Sequence, residues 1–377
     1  MKDPGAHPNR RPLLALILLS PVIAEMLSGS TPPLEWLNPI AALLLIWLYG
    51  AGVLVMRETA VRWKTGWPSI LLLGAAYGII EEGLAVKSFF DPAWMDLGTL
   101  GWYGRWLDVN WVWAVWLTIY HAVVSIAIPI FLVEWIWPGI RGKPLTSPRG
   151  YITAIGLLAG ATVFINLVLT PYRPSAWHLV GACAAVAFLT WAAWRCADQL
   201  WTRLPANKPP GSAWVYALAG FAFLMGSFLI YGGGPAFGVV PIFTILEGAV
   251  VLIAVMLLVR RTSDDPSRWA RQRFAFAAGA VGFLIVLAAF LELAGWRGMA
   301  AVAALFVAIL VWLYCRIPAD IRVRRRSRVT QSNPTLRHLG TTSLFGREGT
   351  ALSPAAQTTE MSDPPTVGGR PAPFRTS

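Results

Sequence analysis

The sequence is poor in charge, in cysteine and in acid. Only 13% of its 377 residues are Asp, Glu, Lys or Arg, about half the quarter usual in soluble domains. With 56% of the residues hydrophobic, a water-soluble core of this size would leave too much apolar surface exposed. The three cysteines, Cys183, Cys196 and Cys315, show neither ligand spacing nor a pairing pattern. They therefore indicate neither a disulfide framework nor a zinc site, and are left as small packing residues expected to be buried. No cofactor-binding motif is present. Asp and Glu number 19 against 31 Lys and Arg, a net charge of +12. The excess lies in short loops and the C-terminal tail and no recognition module accompanies it, so nucleic acid is excluded as a partner.

What is abundant is apolar sequence in runs of about 17 residues or more, the length that crosses ~30 Å of hydrocarbon at ~1.5 Å per residue. The expected fold is an all-α polytopic transmembrane bundle of about ten spans, with the lipid bilayer as its principal partner. The runs cover 12–29, 39–56, 68–89, 110–137, 151–170, 176–200, 213–231, 238–259, 273–295 and 298–317. Pro21 and Glu25 interrupt the first, and Arg10-Arg11 before it with Ser28-Gly29-Ser30 after it also fit a cleaved signal peptide. With the N-terminus placed inside, 27 of the 31 basic residues fall on the inner side. Only Lys87, Arg105, Arg173 and Arg297 fall outside. This bias predicts a plasma-membrane protein with both termini cytoplasmic. The chain divides into a cytoplasmic segment 1–11, a membrane domain 12–317 and a tail 318–377. The tail opens on the basic stretch 322–328 and then turns rich in Pro, Ser, Thr and Gly, so disorder is expected there, with a topology anchor or a lipid-headgroup contact for its arginines.

The longest outer loop, 90–109, mixes Phe90, Trp94, Trp102, Tyr103 and Trp106 with Asp91, Asp96, Arg105 and Asp108. It reads as an interfacial re-entrant turn or helix, or as a lid over a cavity.

Ionisable groups at membrane depth cost several kcal/mol, so each needs a reason. The candidates are Glu25, Glu81, Glu82, His121, Glu247 and Glu292. Counting residues from the span ends puts Glu81, Glu82, His121 and Glu247 within about 5 Å of the midplane, with Glu25, Asn166 and Glu292 further out. Groups sharing one level are expected to converge on an interior site. Span four carries Asn110, Thr118, His121 and Ser125 as a polar stripe, and span five repeats it with Thr162, Asn166 and Thr170. Gly74 and Gly78 form a small-xxx-small surface that lets a neighbouring helix approach closely. Two adjacent carboxylates beside a histidine suit acid/base work on water, proton relay in a carrier, or a hydrogen-bonded network that only holds helices together.

The order of a Glu-Glu pair and a His on the next span, about forty residues later, resembles the CAAX protease and bacteriocin-processing family of intramembrane proteases. In that family an Arg stands four positions after the second Glu, Phe-xxx-His follows, and a His-xxx-Asn or Asp motif lies on a further helix. Here Glu81-Glu82 supplies the pair, Val86 stands at the Arg position with Lys87 next to it, Leu117 stands at the Phe position before His121, and Thr162-xxx-Asn166 keeps only the Asn. The resemblance covers roughly residues 68–170. It implies a hydrolase of peptides or membrane proteins in which Glu82 is the base, His121 its partner, Glu81 an orienting group and Asn166 an oxyanion donor; no metal is implied or excluded. A ten-span carrier is the alternative. Ile80-Glu81-Glu82-Gly83 and Ile245-Leu246-Glu247-Gly248 lie five spans apart, as in an inverted five-plus-five repeat with Glu82 and Glu247 as its relay.

Overall fold

In the computed structural model, residues 10–195, 211–260 and 266–316 are described. They form ten helices. Helix α1 (Arg10–Pro21) runs on into a π turn, Val22–Leu27; α2 is Pro39–Trp63, α3 Trp67–Ala85, α4 Trp111–Ile136 and α5 Pro148–Leu169. They are followed by α6 (Ala176–Arg195), α7 (Ala213–Gly233), α8 (Pro241–Arg260), α9 (Pro266–Leu293) and α10 (Met299–Cys315). Seven of these, α2 to α7 and α9, are long and apolar enough to cross a membrane, and α8 and α10 are shorter apolar helices. The tail, its basic stretch and Cys196 lie outside the described residues.

Helices α3 and α4 form the centre. The other helices pack round them, with α1, α2, α5 and α6 on one side and α7 to α10 on the other. The Gly74–Gly78 surface does what its spacing predicts. A Cβ at Gly74 would meet the Ala122 Cα at 2.8 Å, and one at Gly78 would meet the His121 Cβ at 3.0 Å, so α3 and α4 touch almost backbone to backbone at the level of the histidine. The peripheral helices expose their apolar residues instead, as at Ile152, Leu157, Leu167 and Val168 of α5 and Trp177, Phe188 and Trp191 of α6. Such a belt is stable only against lipid.

Helix α1 packs into the bundle, with Leu16, Ile23 and Leu27 fully buried. Three expectations need correction. Cys183 and Cys315 are exposed on outer helix faces, not buried. The second span ends seven residues later than expected, at Trp63, so Arg57 and Glu58 lie within the helix and are wholly buried. Arg57 reaches Glu134 at 3.1 Å and the carbonyls of Ile140 and Lys143, while Glu58 accepts from the Leu145 N–H, Thr146 and Arg62. This network ties loop 137–147 to α2. Finally, the outer loop holds a two-stranded antiparallel hairpin, β1 (Arg105–Trp106) and β2 (Val109–Asn110), not a helix across its length. Its turn residues Leu107 and Asp108 both have positive φ, as a two-residue hairpin turn requires, and His178 Nε2 lies 3.1 Å from the Leu107 carbonyl.

Candidate functional site: a Glu–Glu–His cluster on π turns

The helices that carry the candidate residues are irregular where those residues sit. Four π turns interrupt them: Val22–Leu27 holds Glu25, Ile80–Ala85 holds Glu81 and Glu82, His121–Ala127 holds His121 and Ser125, and Ile165–Leu169 holds Asn166. A π turn is wider than an α turn and displaces carbonyls from the regular ladder, so in a bilayer other donors must reach them. Here side chains from facing helices do so, and in exchange. Ser20 of α1 donates to the Ser125 carbonyl of α4 at 2.6 Å, while Tyr120 of α4 donates to the Ala24 carbonyl of α1 at 2.8 Å. Likewise Asn166 Nδ2 of α5 donates to the Leu84 carbonyl of α3 at 2.7 Å, while Lys87, just beyond α3, donates to the Asn166 carbonyl at 2.7 Å.

The π turns of α3 and α4 bring three side chains together. His121 Nε2 lies 3.1 Å from Glu82 Oε1, and its Nδ1 lies 2.8 Å from Ser125 Oγ and 3.3 Å from Glu81 Oε2. All three are buried, with exposures of 4% for Glu81, 9% for Glu82 and 2% for His121. Beyond Glu82 the chain of hydrogen bonds continues, as Ser88 donates to Glu82 Oε2 and Trp113 Nε1 donates to Ser88 Oγ at 3.0 Å. Tyr49, Tyr77 and Tyr120 pack round the imidazole with ring centroids 5.5 to 6.1 Å away. One oxygen from each glutamate and one ring nitrogen lie within 4.8 Å of one another. Two carboxylates and an imidazole are a donor set suited to a divalent ion.

The two carboxylates are not equivalent. Glu82 and His121 line a cavity of about 270 Å³, and Glu81 stands behind the histidine, away from it. Ala24, Glu25, Ser28, Gly29 and Ser30 form one side, and Trp113, Trp116, Leu117 and Tyr120 of α4 form another. Phe228, Leu287, Leu291 and Trp296 close it, with Asp96 of the outer loop at the exposed rim. Ser28, Ser30, Asp96 and Trp296 lie in inter-helix segments, so the cavity opens at the end that carries the outer loop. Glu25 is held by Tyr49 and, at 2.7 Å, by Thr31. Although Asp96 keeps solvent exposure at the rim, its carboxyl is partly desolvated and is raised above the usual carboxylate range, first by that desolvation and then by the charges of Glu25 and Glu82.

The structure therefore brings together Glu81, Glu82 and His121, as the common depth implied. It adds Glu25, which the depth count had placed apart. It does not bring in Asn166 or Glu247. Asn166 does not line the cavity; its amide donates to the Leu84 carbonyl and supports the turn that carries the glutamates. Glu247 is exposed on the outer face of α8 and does not face Glu82; depth fixes a level but not a direction round the helix. Ser88, Trp113 and Asp96 were not singled out from sequence as site residues. Their available signal was position: Ser88 follows the glutamates by about two turns, and Trp113 precedes His121 by about two.

Fold and cluster together define a multi-pass helical membrane protein with an acidic, histidine-containing site in its interior. Residues 14–345 match the model of an uncharacterized membrane protein family, and the chain belongs to that family. No curated protein and no solved structure matches it. The matching model is not that of the CAAX proteases.

Proposed function

We propose that this chain is an intramembrane hydrolase, peptidase-like in its chemistry, with Glu82 as the base and His121 as its partner. The observation that carries the proposal is the contact of 3.1 Å between Glu82 and His121 on the wall of a cavity of about 270 Å³. That volume holds several waters. A water beside Glu82 gives its proton to the carboxylate as its oxygen attacks the carbonyl carbon of a bound peptide bond. The proton passes by way of His121 Nε2 to the leaving nitrogen, and the C–N bond breaks to give a carboxylate and an amine. Ser125, 2.8 Å from the other ring nitrogen, fixes the orientation of the imidazole, and the Glu81 carboxylate lies 3.3 Å from the same nitrogen. Asn166 acts at one remove, through the turn that carries the glutamates.

The carrier alternative required Glu82 to face Glu247, and Glu247 points out of the bundle. The likeness to the CAAX proteases supports the assignment through Glu81, Glu82 and His121 alone. We also place both termini in the cytoplasm, on the distribution of basic residues. The cavity then opens on the outer side, and its substrates arrive from there or from the bilayer. The test is hydrolysis of a membrane-peptide pool by the protein reconstituted in vesicles, read by mass spectrometry. Cleavage lost in Glu82→Gln and His121→Ala supports the assignment; cleavage retained in both removes it.

A further inference from the structure

The cavity has a charge that the described protein does not balance. Three carboxylates face it, Glu25 and Glu82 from the helices and Asp96 from the rim. Neither Lys nor Arg lines it among the described residues, and His121 is already shared between Glu81 and Glu82. The rest of the wall is largely aromatic. Trp116 is packed edge-to-face against Trp113 at 5.5 Å and against Phe228 at 5.1 Å, and it stacks on Tyr231 at 5.7 Å. The indole is thereby fixed where it borders the cavity, and Trp296 borders it near the mouth. Carboxylates alone would suit a metal ion; carboxylates with indole rings suit an organic cation, which gains from both charge and ring quadrupole. At about 270 Å³ the cavity fits a group of a few carbon atoms around one charge and is small for a drug-sized ligand.

We propose that the cavity between Glu25, Glu82, Asp96, Trp113, Trp116 and Trp296 is a recognition pocket for an ammonium or guanidinium group. As a statement about substrate it rests on the hydrolase assignment: the scissile bond lies next to a cationic side chain or amine seated in this pocket. As a statement about binding it rests only on these residues. The Asp96 rim draws the cation in, Glu25 holds it at depth, and the indoles cover its alkyl surface. Once seated, the cation lowers the mutual repulsion of the carboxylates, and binding therefore stabilises the fold.

The test uses the full-length protein in detergent at constant ionic strength, with the thermal midpoint as readout. The probes are choline, dimethylbutanol as its uncharged carbon isostere, and calcium chloride. Choline is expected to raise the midpoint saturably, while the alcohol leaves it unchanged. Glu25→Gln, Asp96→Asn and Trp116→Leu should each weaken the choline effect about tenfold. Equal responses to choline and the alcohol, no response to choline, or a response to calcium alone would each overturn the pocket. The comparison of charged and neutral probe needs only the wild type, so a variant that fails to fold does not spare the proposal. Binding of choline by a protein without hydrolytic activity would remove the hydrolase assignment and leave the pocket standing.

Discussion

His121 on α4 stands 3.1 Å from Glu82 on α3, 39 residues earlier in the chain, and its other ring nitrogen lies 3.3 Å from Glu81. An imidazole between two buried carboxylates is at once a neutralising group and a proton conduit, and these two roles separate on substitution. His121→Ala leaves the two carboxylates facing each other without a partner and is expected to cost about 3–5 kcal/mol. Glu82→Gln removes one negative charge from a crowded acidic wall, so its thermal midpoint should match or exceed that of the wild type. Denaturation in detergent checks both. Equal, large losses would make the pair structural glue.

Asn166 supports the turn that carries Glu81 and Glu82 and does not line the cavity. Asn166→Ala leaves the Leu84 carbonyl of the π turn without its donor, an expected loss of about 1–3 kcal/mol. Hydrolysis should fall as the turn that carries Glu81 and Glu82 loosens. An assay of activity beside a melt detects this; full activity with reduced stability would confine Asn166 to the scaffold.

Asp96 predicts a pH dependence. Its carboxyl is raised by partial desolvation and by Glu25 and Glu82, so the folded protein holds that proton more tightly than the unfolded chain. Stability from this residue is therefore lost as pH rises above the ordinary aspartate value of ~3.9. Asp96→Asn cannot ionise. Its melting temperature should exceed that of the wild type at neutral pH, and the two should converge by about pH 4. Parallel curves across that range would contradict the account.

None of the buried Arg57–Glu58–Glu134 network lines the cavity, and it should behave as structure only. Glu58→Ala leaves the fully buried Arg57 and the Leu145 N–H short of an acceptor. It should cost about 3–5 kcal/mol, with residual folded protein still active. Measurement of turnover per folded molecule separates this from a loss at the site.

Much of this was legible in the sequence, for identifiable reasons. Apolar length against loop boundaries marked ten helices, because lipid demands length and admits few breaks. The spacing of Gly74 and Gly78 marked the α3–α4 contact, and shared depth brought Glu81, Glu82 and His121 to one level. Direction round a helix was not legible where the helix is irregular. Adjacent positions turn Glu81 and Glu82 about 100° apart even in a regular helix, which already separates one acid that lines the cavity from one that backs the histidine; which of the two faces the cavity depends on the π turn. Nothing local marks a π turn, since the donors that sustain it, such as Ser20 for Ser125 and Tyr120 for Ala24, come from other helices. The repeated Ile-x-Glu-Gly-like fragment at Glu247 misled for the opposite reason: similarity of four residues says nothing about which side of α8 is covered. Glu58 escaped because the expected second span ends at residue 56, although Glu58 and Arg62 stand at the i,i+4 spacing of a helical ion pair. Glu134 lies near the end of the expected fourth span, away from the midplane level that drew the other acids together.

The measurement that bears most directly on the hydrolase assignment is isotopic. The wild type and Glu82→Gln are each incubated in vesicles with a membrane-peptide pool in water enriched in heavy oxygen, and the new carboxyl termini are weighed. If Glu82 activates water, the wild type yields fragments carrying one heavy oxygen at the new terminus and the variant yields none. Fragments that appear equally in both, or that carry no label, would contradict it.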